Sequence, residues 1–341
     1  MGTQIQATNK QFRLARRPTG AVTRADWDVT EAPVSGPEDG EFLVKVLYLS
    51  LDPAMRGWMN DRRSYVPPVA IGDVMRALGA GVVVDSRHPD FPRGSYAVGL
   101  FGVQQFARSD GTGVITVEPT PSVPLPVYLG ALGMPGMTAY FGLLDIGKPL
   151  EGDTVVVSGA AGGVGTVAGQ IAKIKGCRVV GIAGGSKKCS YVVEELGFDA
   201  AIDYKSEDVR AALKEQCPAG VDIYFDNVGG DILDAVLSRL ARGARVVICG
   251  AISQYNAEGR MQGPSNYMSL LVNRARMEGF VVFDYIDRYL EAAGEMAGWM
   301  AAGRLQSQED IVEGFEAFPE TLQKLFTGDN IGKLVLRVAP E

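Results

Sequence analysis

The chain has 341 residues, with 46% hydrophobic and 21% charged side chains, a net charge of −7 and a pI near 5.0. That length accommodates two domains with sizeable cores, and the composition is that of an ordinary globular protein. The acidic balance argues against a nucleic-acid partner or a membrane surface, which favour a basic face, and no apolar run approaches the roughly 18–20 residues of a membrane span.

The N-terminus, M-G-T-Q-I-Q-A-T-N-K-Q-F-R-L-A-R-R-P, has no apolar core of a secretory signal, so a cytoplasmic protein is expected. Residues 1–126 carry short strand-like runs separated by Gly and Pro, such as Glu41–Ser50, Gly79–Asp85 and Ser95–Phe101. They predict a compact β-rich domain. The proline-dense Pro119–Pro126 marks its boundary, and Val127–Leu144 reads as a broken helix because it contains G-M-P-G.

From there strands alternate with amphipathic helices. Strands are predicted near 154–158, 178–183, 200–203, 221–226, 244–249 and 279–283, and helices near 164–175, 187–196, 206–216, 231–241, 265–274 and 287–303. The pattern predicts an α/β domain over 127–303 with a doubly wound parallel sheet. Residues 304–341 end in K-L-V-L-R-V, a strand expected to return to the first domain.

Between the first strand and the first helix of the alternation lies G-x-x-G-x-x-G, at Gly159, Gly162 and Gly165. A strand that feeds a glycine turn into a helix presents free N–H groups and a positive helix end, a site for a pyrophosphate. An NAD site places a carboxylate about 20 residues past such glycines, to hold the ribose 2′-hydroxyl. That position here reads Gly184, Gly185, Ser186, Lys187, Lys188. Lys and Ser suit a 2′-phosphate, so NADPH is expected as cofactor. Two later strand ends, Tyr224–Gly230 with Asn227 and Ile248–Asn256 with Tyr255, fall where ligands bind in open α/β sheets.

The four cysteines, Cys177, Cys189, Cys217 and Cys249, are too few and too scattered for a disulfide framework and are expected as buried thiols. The single histidine, His88, lies in the polar turn D-S-R-H-P-D and is expected at the surface. No metal site is expected from such a set, nor any mechanism that needs a histidine base.

Several motifs resemble one family across nearly the whole chain. They are Y-L-S-L-D-P-A-M-R-G (Tyr48–Gly57), G-M-P-G-M-T-A-Y-F-G-L-L-D-I-G (Gly133–Gly147), A-A-G-G-V-G (Ala160–Gly165), Y-F-D-N-V-G-G (Tyr224–Gly230), I-C-G-A-I-S-Q-Y-N (Ile248–Asn256) and G-D-N-I-G-K-L-V (Gly328–Val335). The chain resembles the zinc-independent medium-chain dehydrogenase/reductases, in their NADPH-dependent double-bond reductase group. R-R-P-T-G near the start and S-Y-V-P-P-V (Ser64–Val69) lean to the bacterial curcumin-reductase branch.

The resemblance implies a GroES-like substrate domain built from both chain ends around an inserted Rossmann domain. It implies that Gly162, Gly163, Val164 and Gly165 cradle the pyrophosphate and that Lys188 and Tyr204 hold the 2′-phosphate. Asn227, the run Cys249, Gly250, Ala251, Ile252, Ser253 to Tyr255, and Phe280, Val281 and Val282 would line the cofactor, the last three along the nicotinamide, with Asn330 reaching it from the C-terminal segment. The implied reaction is hydride transfer to the β-carbon of an α,β-unsaturated ketone or aldehyde, followed by protonation of the enolate. With no histidine base, Tyr65 is favoured as proton donor or oxyanion partner, and Tyr255 as the residue that positions ribose and substrate. Ala54 stands where the family usually has an aromatic residue, which leaves the exact substrate open. A quinone oxidoreductase or a non-catalytic NADPH-binding protein are the alternatives, and the family is often homodimeric.

Overall fold

Val155 and Val157 join one hydrophobic core while Val156, between them, joins another. Alternate side chains of a strand point to opposite faces, so Thr154–Ser158 is covered on both sides, as its β-branched run demands. Ile223 and Phe225 divide from Tyr224 in the same way. The computed structural model describes residues 7–259 and 261–341. The first six residues of the stretch read for a secretory signal lie outside these.

The central unit spans 130–308 together with 330–332. Its strands are β1 (Thr154–Ser158), β2 (Arg178–Ala183), β3 (Ala200–Asp203), β4 (Val221–Asp226), β5 (Leu240–Ile248) and β6 (Arg276–Gly279). They form one six-stranded parallel sheet in the order β3-β2-β1-β4-β5-β6. That is the doubly wound dinucleotide-binding order, with its crevice at the β1/β4 switch point. The helices are α1 (Met134–Phe141), α2 (Gly165–Ile174), α3 (Ser186–Ser190), α4 (Val209–Gln216), α5 (Gly230–Leu237), α6 (Met268–Asn273) and α7 (Tyr289–Ala301).

Several boundaries differ from those read in the sequence. The broken helix resolves into a 3₁₀ turn, Leu125–Leu129, then α1, which runs on as a π-helical segment, Gly142–Gly147. The helix expected over 187–196 likewise changes to π geometry at Tyr191–Glu195. α4 starts at Val209 because Asp208 caps it, accepting the Ala211 N–H at 2.8 Å. α5 ends at Leu237 because β5 already pairs with β4 at Leu240. The strand expected at 279–283 instead ends at Gly279, where its ladder with β5 stops, and Val282–Arg288 is a 3₁₀ stretch.

The other unit comprises 1–129, 309–329 and 333–341. Its seven-stranded sheet runs Glu309–Glu313, Lys333–Arg337, Phe42–Ser50, Gly79–Ser86, Tyr96–Gly99, Ile115–Val117, with Phe106–Ser109 also paired to Phe42–Ser50. The C-terminal strand pairs antiparallel with Phe42–Ser50 through Val335 and Ser50, Leu336 and Leu49, and Arg337 and Tyr48. Lys333, 4% exposed, donates to Asp52 at 2.6 Å and to the Leu51 carbonyl at 2.7 Å, so a buried ion pair joins the two chain ends of this unit. His88 is half-buried in its turn, edge-on to Phe42 and Phe91 with its Nδ1 accepting the Asp90 N–H.

Candidate cofactor site

The glycine turn leaves β1 at Gly159, whose φ of +58° favours a residue without a Cβ. The Gly162 N–H returns to the Gly159 carbonyl at 2.9 Å. A Cβ on Gly165 would run into that same carbonyl and into the Ala160 backbone. Gly162, Gly163 and Val164 are half-buried, and α2 starts at Gly165 with N–H groups that have no partner within the helix.

Asn330–Gly332 lies against this turn. The Gly332 N–H donates to the Ala161 carbonyl at 2.8 Å, and the buried Asn330 amide donates to the Gly332 carbonyl at 2.9 Å. Asn330 thus holds its own segment in place beside the turn.

At the end of β2, a Cβ on Gly184 would meet the Tyr204 ring, and Gly185 has a φ of +94°. Lys188, the third residue of α3, is half-buried, while Lys187 and Tyr204 are exposed. One carboxylate here went unread in the sequence. Asp203, the last residue of β3, accepts the Gly185 N–H at 2.7 Å, the Lys205 N–H at 3.0 Å and the Ser206 hydroxyl at 2.9 Å. The Gly185 and Lys205 N–H groups and the Ser206 hydroxyl hold its carboxyl below the usual range. Its signal was present as an Asp closing a strand before K-S-E-D, the pattern of an Asx turn.

At the switch point the Asn227 amide donates to the Ser158 carbonyl at 2.7 Å, and its N–H to the Ser158 hydroxyl at 3.0 Å. Beyond β5, Ile252 and Ser253 donate through their N–H groups to the carbonyls of Asn227 and Val228. The Tyr255 hydroxyl turns back on this loop and accepts the Ala251 N–H at 3.1 Å. A side chain on Gly250 would crowd that hydroxyl. Burial pushes the Cys249 thiol up to about 12, so it is a thiol and not a thiolate at neutral pH. Cys177 and Cys217 are buried, and Cys189 and Cys249 half-buried.

Past β6 the Phe280 ring fills the space beside Gly142, where a Cβ would meet both Phe280 and Phe225. The Tyr289 hydroxyl donates to the Val282 carbonyl at 3.1 Å, and burial pushes that phenol up to about 12.

The turn after β1, Lys188, Tyr204, Asn227, Cys249–Tyr255 and Phe280–Val282 therefore all follow C-terminal ends of parallel strands in one unit, with Asn330 laid against the first of them. Tyr65 lies in the other unit, 54% exposed, on the loop between Ala54–Trp58 and Gly79–Ser86. Among the described residues no group of three or more His, Cys, Asp or Glu is placed to hold a metal, and no helix is long and apolar enough to cross a membrane.

Such a sheet, with a glycine turn after its first strand, is a dinucleotide-binding fold. Residues 10–117 match the family model of an N-terminal domain of oxidoreductases, and 163–298 that of a zinc-binding dehydrogenase. The chain is 44% identical to the NADPH-dependent curcumin reductase of Escherichia coli (strain K12), over 99% of each chain. It is 41% identical to a 2-alkenal reductase (NADP(+)-dependent) of Nicotiana tabacum, over 98% of this chain and 99% of that one. The crystal structure of CurA from Vibrio vulnificus in complex with NADPH is similar with a TM-score of 0.92 and 45% identity, over 97% of this chain and 100% of that one. The chain belongs to the medium-chain dehydrogenase/reductase family, in its double-bond reductase group.

Proposed function

We propose that this protein reduces the C=C bond of α,β-unsaturated ketones and aldehydes with NADPH. The observation that carries the reading is the end-to-end likeness to a curcumin reductase and a 2-alkenal reductase. The residues fit the cofactor. The turn at Gly159–Gly165 is tight, since a Cβ on Gly162 or Gly165 would meet the Gly159 carbonyl; no carboxylate stands in the sequence at Gly184–Lys188, and that of Asp203 beside them is engaged by the Gly185 and Lys205 N–H groups and the Ser206 hydroxyl.

In this reading Gly162–Gly165 and the start of α2 hold the pyrophosphate, and Lys188 and Tyr204 the 2′-phosphate. Asn227, Cys249–Tyr255, Phe280–Val282 and Asn330 line the rest. Bound NADPH supplies the hydride for the substrate β-carbon. The chain's own work is to orient the reactants and stabilise charge on the carbonyl oxygen. Tyr65 is the proton donor or oxyanion partner, since a phenol is protonated at neutral pH. Tyr255 positions ribose and substrate. The unit of 1–129, 309–329 and 333–341 serves as substrate domain. The chemistry is read as zinc-independent because the chain's donor set is one histidine and four scattered cysteines.

A homodimer through the sheet edge belongs to the same reading. β6 ends the sheet on one side, and Tyr267, Met268, Leu271 and Val272 of the adjoining turn and α6 are exposed, Leu271 by 70%. Open edges and apolar surface of this kind favour pairing.

The test is NADPH consumption with a panel of enones, enals and quinones. Oxidation with enones and enals is expected. Turnover of quinones alone would move the reading to a quinone oxidoreductase, and NADPH binding without turnover to a non-catalytic binding protein.

A further inference from the structure

Asp226, at the end of β4, is 1% exposed. Its Oδ1 accepts the Ser158 hydroxyl at 3.1 Å, the Tyr224 hydroxyl at 2.8 Å, the Val228 N–H at 3.0 Å and the Gly229 N–H at 2.8 Å. Its backbone carbonyl accepts the N–H groups of Cys249 at 2.9 Å and Gly250 at 3.0 Å. One residue thereby binds the tip of β1, the turn that leads from β4 into α5, and the tip of β5. These are the walls of the switch-point crevice. Ser158 passes the constraint on, because its hydroxyl also accepts the Asn227 N–H. Among its described contacts the Asp226 side chain reaches neither the β2 tip nor the β3 tip, which Asp203 ties together separately.

We infer that the Asp226 side chain is a positioning group for the pyrophosphate and nicotinamide half of the site, acting through Ser158, Asn227 and the Val228–Gly229 turn, whose Val228 carbonyl in turn accepts the Ser253 N–H, and that it has no part in holding the 2′-phosphate half. The inference rests on the NADPH reading above. Oδ2 is buried and meets no donor among the described residues, so the work falls on Oδ1 as an acceptor. Burial pushes the Tyr224 phenol up, which keeps its O–H as a donor to Asp226.

The experiment compares binding of NADPH with that of adenosine 2′-monophosphate, which carries the 2′-phosphate and no part of the pyrophosphate or nicotinamide. Both are titrated against wild type, Asp226→Ala, Asp226→Asn and Ser158→Ala. Asp226→Ala is expected to weaken NADPH binding roughly tenfold or more while binding of the monophosphate changes less than about twofold. Asp226→Asn keeps the accepting oxygen and is expected to recover NADPH affinity to within about threefold of wild type. Ser158→Ala should reproduce the selective loss in a milder form and serves if Asp226→Ala does not fold. Unchanged NADPH binding in both alanine variants, or parallel loss of both ligands, overturns the inference. A wild-type chain that binds the monophosphate but not NADPH contradicts it as well, whereas a wild type that binds neither overturns the cofactor reading and the inference with it.

Discussion

The ring of Phe280 occupies the space that a side chain at Gly142 would need. Gly142 opens the π-helical segment after α1, and Phe280 is the first residue past β6. Gly142→Ala forces the ring outward, an overpacking that costs about 1–3 kcal/mol. Because Phe280 is read as a wall of the nicotinamide site, turnover is expected to fall more than NADPH affinity. Thermal unfolding together with kcat and the NADPH Kd checks this, and unchanged kcat beside a lowered Tm would remove Phe280 from the site.

If Lys188 holds the 2′-phosphate as proposed, Lys188→Ala removes a charge-assisted hydrogen bond worth about 1.5–3 kcal/mol, on the order of tenfold or more in affinity. The loss is expected for NADPH and not for NADH. Equal losses for the two cofactors would contradict the assignment.

Asp203 gives a dependence on acid. Its carboxyl lies below the usual range in the folded chain, held there by the Gly185 N–H, the Lys205 N–H and the Ser206 hydroxyl. A depressed carboxyl contributes stability that is present above its unfolded pKa, about 3.9, and lost as pH falls through its folded value. Urea midpoints of wild type are therefore expected to fall more steeply between about pH 5 and pH 3 than those of Asp203→Ala. Parallel slopes would show that the contacts of Asp203 carry no stability. The same variant loosens the Gly184–Lys188 turn and is expected to raise KM for NADPH.

Tyr65→Phe separates a proton donor from an aromatic that only packs. If the phenol donates or braces the oxyanion, kcat on a small enone falls roughly 10²-fold or more with NADPH binding intact. Full turnover would sink that role.

The parallel sheet was legible because Thr154–Ser158 has a β-branched centre buried on both faces, because strand-like runs alternate with amphipathic helices after it, and because Gly159 and Gly165 mark a turn that other residues cannot make. The end of β6 was not, since F-V-V has strand composition and nothing local shows that the ladder to β5 stops at Gly279. Asp203 and Asp226 escaped notice for a different reason. One partner of each comes from a neighbouring strand end, Ser158 for Asp226 and Gly185 for Asp203, and such adjacency leaves no spacing pattern in the chain, unlike the local turns that Lys205 and Val228 close on them. The approach of Gly332 to Ala161 is likewise a product of tertiary structure, and only family resemblance pointed to Asn330.

The most direct measurement of the central claim uses NADPH that carries deuterium at the transferable position. The purified protein, this cofactor and a simple enone are incubated together and the product is examined by NMR. The account predicts a saturated ketone with deuterium on the former β-carbon and the carbonyl intact. An allylic alcohol with deuterium on the carbonyl carbon, or no oxidation of NADPH with any enone or enal, would contradict it.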